Sequence, residues 1–218
     1  MSKLKKQAWS TKDAMDQVYK LKLWGSNSSE FYSGEGSHLP EIINQYITIV
    51  TSFLKSFESP LIVCDLGCGD FNIGKELVKH TKKYIAIDIV NDLIDFNKEK
   101  FKDEKLEFQC LDIAKDDLPV GVCAIIRQVL QHLSNTEIKT ILNKLSEFKY
   151  IILTEHLPIG DFEPNIDIIS GQGIRLKKQS GIDISTPPFN FKVKEEKEIL
   201  SFDLKNGKGK IVTKLYVI

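Results

Sequence analysis

Val63-Cys64-Asp65-Leu66-Gly67-Cys68-Gly69-Asp70-Phe71 is the stretch on which the reading of this chain turns. An apolar run from Leu61 ends at an acidic residue and breaks into a glycine-rich turn, and a helical stretch, Ile73 to His80, follows. Glycine lets a backbone turn sharply and approach a ligand closely. A strand, a glycine turn and a helix in succession form the ligand-binding corner of open α/β sheets. Alone, the same pattern is an ordinary tight turn, so its neighbours must decide.

The unit repeats downstream. Tyr84 to Ile87 is a second apolar run ending at Asp88, with a helical stretch from Asp92 to Phe101. Leu106 to Leu111 is a third, ending at Asp112, and Val122 to Ile126 a fourth. Ser134 and Glu137 then make a capping box before an apolar stripe of Ile138, Ile141, Leu142, Leu145 and Phe148, and Tyr150 to Leu153 is a fifth strand. Short apolar strands alternating with amphipathic helices predict a parallel sheet covered on both faces, with every strand's carboxyl end on one edge. Lys197 to Leu204 and Lys210 to Ile218 differ: joined by Asn206-Gly207-Lys208-Gly209, they read as an antiparallel hairpin. The expected fold is an α/β, Rossmann-like, doubly wound sheet of seven strands, mostly parallel and ending in that hairpin.

Upstream, Glu41 to Phe57 carries apolar residues at helical spacing, with Pro40 suited to the first turn. Before it lies a polar stretch with scattered aromatics and a small-residue cluster, Ser33-Gly34-Glu35-Gly36-Ser37. The division expected is a helical and loop cap over 1–58 and a ligand-binding domain over 59–218.

Thirty basic residues balance thirty acidic ones, and only Arg127 and Arg175 are arginines, which argues against a nucleic-acid partner. The polar start, Met1 to Lys12, does not resemble a signal peptide, and no stretch approaches the ~20 apolar residues of a membrane span. Cys64, Cys68, Cys110 and Cys123 lack metal-ligand spacing. These features predict a cytoplasmic protein with reduced thiols, no metal and no membrane contact.

The spacing of the acids narrows the ligand. Asp88 lies nineteen positions after Gly69, where a carboxylate at the end of the second strand accepts both ribose hydroxyls. Asn72 occupies the third glycine position of a dinucleotide fingerprint, which disfavours a pyrophosphate, and no phosphate-binding lysine loop is present. An acid two residues before the first glycine suits a cofactor with a cationic amino-acid end.

On these residues the chain resembles the class I S-adenosylmethionine-dependent methyltransferases. Asp65-Leu66-Gly67-Cys68-Gly69 is similar to their first motif, Asp88 to their ribose-binding acid and Asp112-Ile113 to their adenine-side pair. Gln128-Val129-Leu130-Gln131-His132-Leu133 resembles the segment after their fourth strand, and the terminal hairpin their last two strands. Phe71 stands where many members keep a third glycine. Trp24-Gly25, the cluster from Ser33 to His38 and Cys68 to Asn72 further resemble a bacterial subgroup, some of whose members act on saccharides.

The resemblance implies S-adenosylmethionine as cofactor and methyl transfer to an oxygen or nitrogen of a small molecule or saccharide. Methylation of RNA or protein and cofactor binding without turnover are the alternatives. The cofactor-binding candidates are Asp65, Gly67, Cys68, Gly69, Phe71, Asp88, Ile89, Asp112, Ile113, Arg127, Gln128 and, from the small-residue cluster, Gly36. A hydroxyl acceptor needs a general base; the candidates are Glu155 and His156, read as leaving the fifth strand at the ligand edge, and His132, four residues beyond Gln128 and facing the sheet or a cap. The stretch from Pro164 to Phe191, without a clear strand or long helix, is the candidate for acceptor recognition.

Overall fold

Parallel pairing is confirmed in the computed structural model, which describes residues 9–218; the first eight residues of the polar start lie outside the described residues. Strands β1 (Ile62–Leu66), β2 (Lys83–Asp88), β3 (Leu106–Cys110), β4 (Cys123–Arg127), β5 (Tyr150–Leu157), β6 (Glu195–Asp203) and β7 (Lys210–Val217) form one sheet in the order β3-β2-β1-β4-β5-β7-β6. The first five run parallel, and β7 lies antiparallel between β5 and β6. This is the Rossmann-like sheet that the alternation implies.

Helices α1 (Thr11–Lys20), α2 (Pro40–Lys55), α3 (Gly74–Leu77), α4 (Asn91–Lys100) and α5 (Asn135–Leu145) complete the fold. Alternation along β1 sends Val63 to one face, against Tyr46, Val50 and Leu54 of α2. Cys64 and Leu66 point to the other, against Ile138, Ile141 and Leu145 of α5. Pro40 opens α2 and Ser134 caps α5 in a complete capping box with Glu137. The outermost strand, β6, carries the charged run Glu195-Glu196-Lys197-Glu198, which discourages pairing with another chain.

Several boundaries differ from the sequence reading. β5 continues to Leu157 because β7 pairs with it along its whole length, so Glu155 and His156 lie inside a strand rather than beyond it. The helix expected over Ile73 to His80 is one short turn, α3, followed by a 3-10 turn, Val78–His80. Helix α1 was not expected: Ser10 caps it by accepting from the Asp13 amide, and only Met15 and Val18 are buried on it. Among the described residues no helix is long and apolar enough to cross a membrane.

The long excursion between β5 and β6 holds a single 3-10 turn, Arg175–Lys178, yet it is part of the core. Ile182 and Ile184 pack among the α5 side chains, flanked by Phe189, Phe191 and Val193. Ile184→Ala is therefore expected to lower stability by about 2–5 kcal/mol in urea unfolding, the cost of a buried methylene cavity. Ile169→Ala in the same excursion, at 75% exposure, should stay within about 0.5 kcal/mol.

Candidate functional site

The strand order places a crevice where β1 neighbours both β2 and β4, because the connections on the two sides of β1 leave in opposite directions. A cavity of about 620 Å³ opens there, within the range of small-ligand sites. The ends of β1, β2 and β4 form its floor, segment 33–39 and α1 roof it, and residues 172–177 of the excursion and the β6–β7 turn close its far side.

On the β1–β3 side the wall is acidic. Asp88 is 8% exposed, and each of its carboxylate oxygens accepts one backbone N–H, from Gly69 at 3.1 Å and Val90 at 3.1 Å. Each oxygen therefore keeps an acceptor position toward the cavity. Burial pushes the Asp88 carboxyl up to about 6, against the pull of those amides. Asp65 accepts from the Tyr84 hydroxyl at 2.8 Å, and burial raises it to about 7. Asp112 accepts from the Ala114 amide and pairs with Lys115 at 2.8 Å. Asn97, fully buried on α4, donates to the Gly69 carbonyl at 2.8 Å and so fixes the glycine turn from behind.

Gly67 and Gly69 both adopt positive φ, 88° and 55°, as the turn requires. Phe71 also sits at positive φ, 59°, which explains why glycine suits this position in related turns. Here the ring offsets the strain by packing edge-on against Tyr84, Phe101 and Phe108. Its side chain lies in the core and does not line the cavity, which corrects its placement among the cofactor contacts.

The roof is tied down by polar contacts to the glycine turn and to β4. The Ser33 amide donates to Asp70, the Asp70 amide donates back to Ser33 Oγ, and His38 meets the same Asp70 carboxylate at 2.6 Å. Asn72 donates to the Ser37 carbonyl, and Arg127 donates to the Gly36 carbonyl and to Ser37 Oγ. Gly36 passes so near Gln128 that a Cβ there would come within 2.4 Å of its side-chain oxygen. Glycine is needed at Gly36 for close approach. Two buried polar atoms in this wall have no partner among the described residues: the Tyr46 hydroxyl and Arg127 Nε, whose guanidinium lies 5.1 Å from the Tyr46 ring.

The 3-10 turn after β4, Leu130–His132, is held by an acceptor side chain on its amides and a donor side chain on its carbonyls. Glu155 accepts from the Leu130 and Gln131 amides at 3.1 and 3.0 Å. Arg175, 1% exposed, donates to the carbonyls of Leu130, Gln131, Leu133 and Ile166 and to Asn135 Oδ1. The donors and acceptors that a short turn leaves orphaned are thus satisfied from both ends. Burial pushes Glu155 up to about 8 against the pull of those amides and the Arg175 charge. Its oxygens are engaged by this turn and it does not line the cavity. It is a structural acceptor, which corrects its placement among the bases.

The two histidines differ in tautomer. His132 Nδ1 meets the Gly171 carbonyl, which only accepts, so Nδ1 carries the proton; Nε2 then accepts from the Gln131 amide at 3.3 Å. No lone pair is left, and burial lowers its pKa to about 4. His156 Nε2 donates to the Lys208 carbonyl at 2.7 Å, which leaves Nδ1 as a bare acceptor. Burial lowers its pKa as well, so the ring is neutral near pH 7. Both histidines line the cavity.

Of the residues singled out in the sequence, Asp65, Gly67, Cys68, Gly69, Asp88, Ile89, Asp112, Ile113, Arg127, Gln128 and Gly36 line one cavity. Phe71 and Glu155 do not. Sequence reasoning missed Tyr46, Asn97, Arg175 and the α1 residues Met15 and Tyr19. The available signal was the choice of arginine at only two positions in a lysine-rich chain, since arginine alone offers five donors in a fixed fork.

Residues 63–148 match the family model described as a methyltransferase domain. The fold is similar to the N-methyltransferase NodS of Bradyrhizobium japonicum in complex with S-adenosylhomocysteine, with a TM-score of 0.65 and 11% identity over 94% of this chain and 99% of that one. Magnesium protoporphyrin IX methyltransferase of Synechocystis, with bound S-adenosylmethionine, gives 0.60 and 14% over 98% of this chain and 100% of that one. Human N-acetylserotonin methyltransferase gives 0.57 and 16%, over 96% of this chain and 60% of that one. No curated relative matches the sequence.

The two-sided hold on the turn at Leu130–His132 has a measurable consequence. Arg175→Met leaves four buried carbonyls without their donor, and an expected loss of about 3–5 kcal/mol in chemical denaturation follows. Adding Glu155→Gln should return part of that loss above about pH 8, where the Glu155 carboxyl is charged.

Proposed function

Residues 63–148 match a methyltransferase domain, and we propose that the chain is a class I S-adenosylmethionine-dependent methyltransferase whose cavity holds donor and acceptor. The observation that carries the reading is Asp88. Its carboxylate ends β2 beside the glycine turn, and both oxygens keep acceptor positions toward the cavity. Two vicinal ribose hydroxyls can donate to that pair of acceptors. Asp112 and Ile113 border the adenine side, while Gly67, Cys68 and Gly69 line the turn along which the ligand backbone runs. Asp65 lies where a cationic amino-acid end is neutralised.

When bound, S-adenosylmethionine supplies an electrophilic methyl group on a sulfonium. The chain's part is to hold donor and acceptor in line and to exclude water. Segment 1–58 acts as the cap, its part from Trp9 onward roofing the cavity through Ser33, Gly36 and Ser37, and 59–218 carries the sheet. The acceptor is a small molecule or saccharide bearing a reactive oxygen or nitrogen, which the size of the roofed cavity supports. Of the three candidate bases, His156 is the one suited to take the acceptor's proton. It lines the cavity, its Nε2–H is anchored to Lys208, and its Nδ1 is a free acceptor. His132 serves to fix Trp24 and residue Gly171 around the cavity. Four free cysteines support a reducing, cytoplasmic setting.

Calorimetric titration with S-adenosylmethionine and S-adenosylhomocysteine tests the donor site. Micromolar binding is expected, with Asp88→Ala weaker by about 100-fold through loss of two charge-assisted hydrogen bonds. Absence of binding by the intact chain would overturn the assignment. Because Asp88 is raised to about 6, its charged acceptor form persists above that pH and is lost below it. Affinity should decline as pH falls through about 7 and then about 6, as Asp65 and then Asp88 are protonated, and Asp88→Asn should remove the lower of the two steps. With a hydroxyl acceptor, His156→Ala should lower kcat by roughly 10²–10⁴-fold while the donor's Kd is unchanged.

A further inference from the structure

The charged side chains that line the cavity are segregated by sign. Asp65, Asp70, Asp88 and Asp112 come from the glycine turn and the ends of β1, β2 and β3. The cationic residues, Arg127, Lys177 and Lys208, come from the end of β4, the excursion and the β6–β7 turn. Two further acids line the wall. Glu137 is occupied, accepting from the hydroxyls of Thr11, Ser134 and Ser170, and Glu35 is exposed on the roof.

The pairing of the lysines sharpens this division. Lys178 donates to the Asp167 carbonyl and Lys205 pairs with Glu41 at 3.2 Å. Their neighbours Lys177 and Lys208, which face the cavity, have no ion-pair partner among the described residues. At the boundary with the acidic half lie the unpartnered Tyr46 hydroxyl, 1% exposed, and Arg127 Nε, both near enough to feel the Asp65 charge. Lys208 is also the residue whose carbonyl anchors His156. A wall with free cations, orphaned donors and a neutral base favours a negatively charged ligand.

Resting on the donor reading above, we infer that the methyl acceptor is a small anion, bearing a carboxylate or phosphate held by Lys177 and Lys208 while its reactive atom faces His156. The acidic half of the cavity then receives the cationic donor and the basic half the anionic acceptor. The two ligands are sorted by charge. Apolar wall residues on the acceptor half, Leu39, Ile42, Leu204 and Ile211, cover the uncharged body of that molecule.

The test is calorimetric titration of the full chain, loaded with S-adenosylhomocysteine, with benzoate, phenyl phosphate and benzamide as shape-matched probes. The anions should bind roughly tenfold more tightly than the amide, and added salt should weaken only the anions. The double variant Lys177→Gln/Lys208→Gln, altered at two exposed positions, should bring the three probes level while its affinity for S-adenosylhomocysteine stays unchanged. Tighter binding of benzoate assigns a carboxylate acceptor, and tighter binding of phenyl phosphate a phosphate. Equal binding of amide and anions, a preference that survives in the double variant, or no probe binding to the loaded protein would overturn the inference. Failure to bind S-adenosylhomocysteine instead removes the donor reading. The same titrations of the unloaded chain then decide the anion preference independently.

Discussion

Right-handed crossovers and a reversal of strand order at β1 impose the constraint on which the rest of this molecule depends. The chain passes from β1 to β2 to β3 in one direction and then returns to place β4 on the other side of β1. Two neighbouring strands therefore send their following segments apart, and no side chain of the sheet fills the gap between them. Every group discussed above is fixed relative to that gap. Asp65 and Asp88 reach it because they end β1 and β2, and Arg127 because it ends β4.

The walls of the gap are built by buried polar groups that hold backbone rather than one another. Asn97 holds the Gly69 carbonyl, Asp88 its amide, and Glu155 with Arg175 the turn after β4. Buried charge is costly unless it is paired and hydrogen-bonded, and here the amides and carbonyls of irregular backbone provide the compensation. The result is a floor whose irregular backbone is hydrogen-bonded from behind, beneath a roof tied to it by side chains of the glycine turn and β4. Those roof contacts converge on Asp70 and Arg127, one from each side of the gap.

The excursion between β5 and β6 links the core to the cavity. Its inner residues, Ile182 and Ile184, belong to the core, Arg175 locks the turn after β4, and Lys177, two residues later, faces the cavity. The same short 3-10 turn thus carries one arginine inward and one lysine toward the ligand.

Much of this was legible in the linear chain. Apolar runs ending at Asp65, Asp88 and Asp112 specify a parallel sheet, because strands buried on both faces must be apolar throughout and polar groups return only at their ends. The glycine turn was legible for the same reason: local backbone conformation limits which residues are allowed. Phe71 and Glu155 were misplaced because a side chain's direction at an irregular turn, or inside a strand lengthened by a partner, is set by packing. Helix α1 carries too short an apolar stripe to announce itself. Pairings between distant segments, such as Arg175 with the turn at Leu130–His132, leave no local pattern. Sequence by itself determined the sheet, the ligand edge and the acids on it, since these follow from periodicity and local geometry. Tertiary structure alone decided which histidine keeps a free lone pair and which lysines stay unpaired, since both depend on groups far away along the chain.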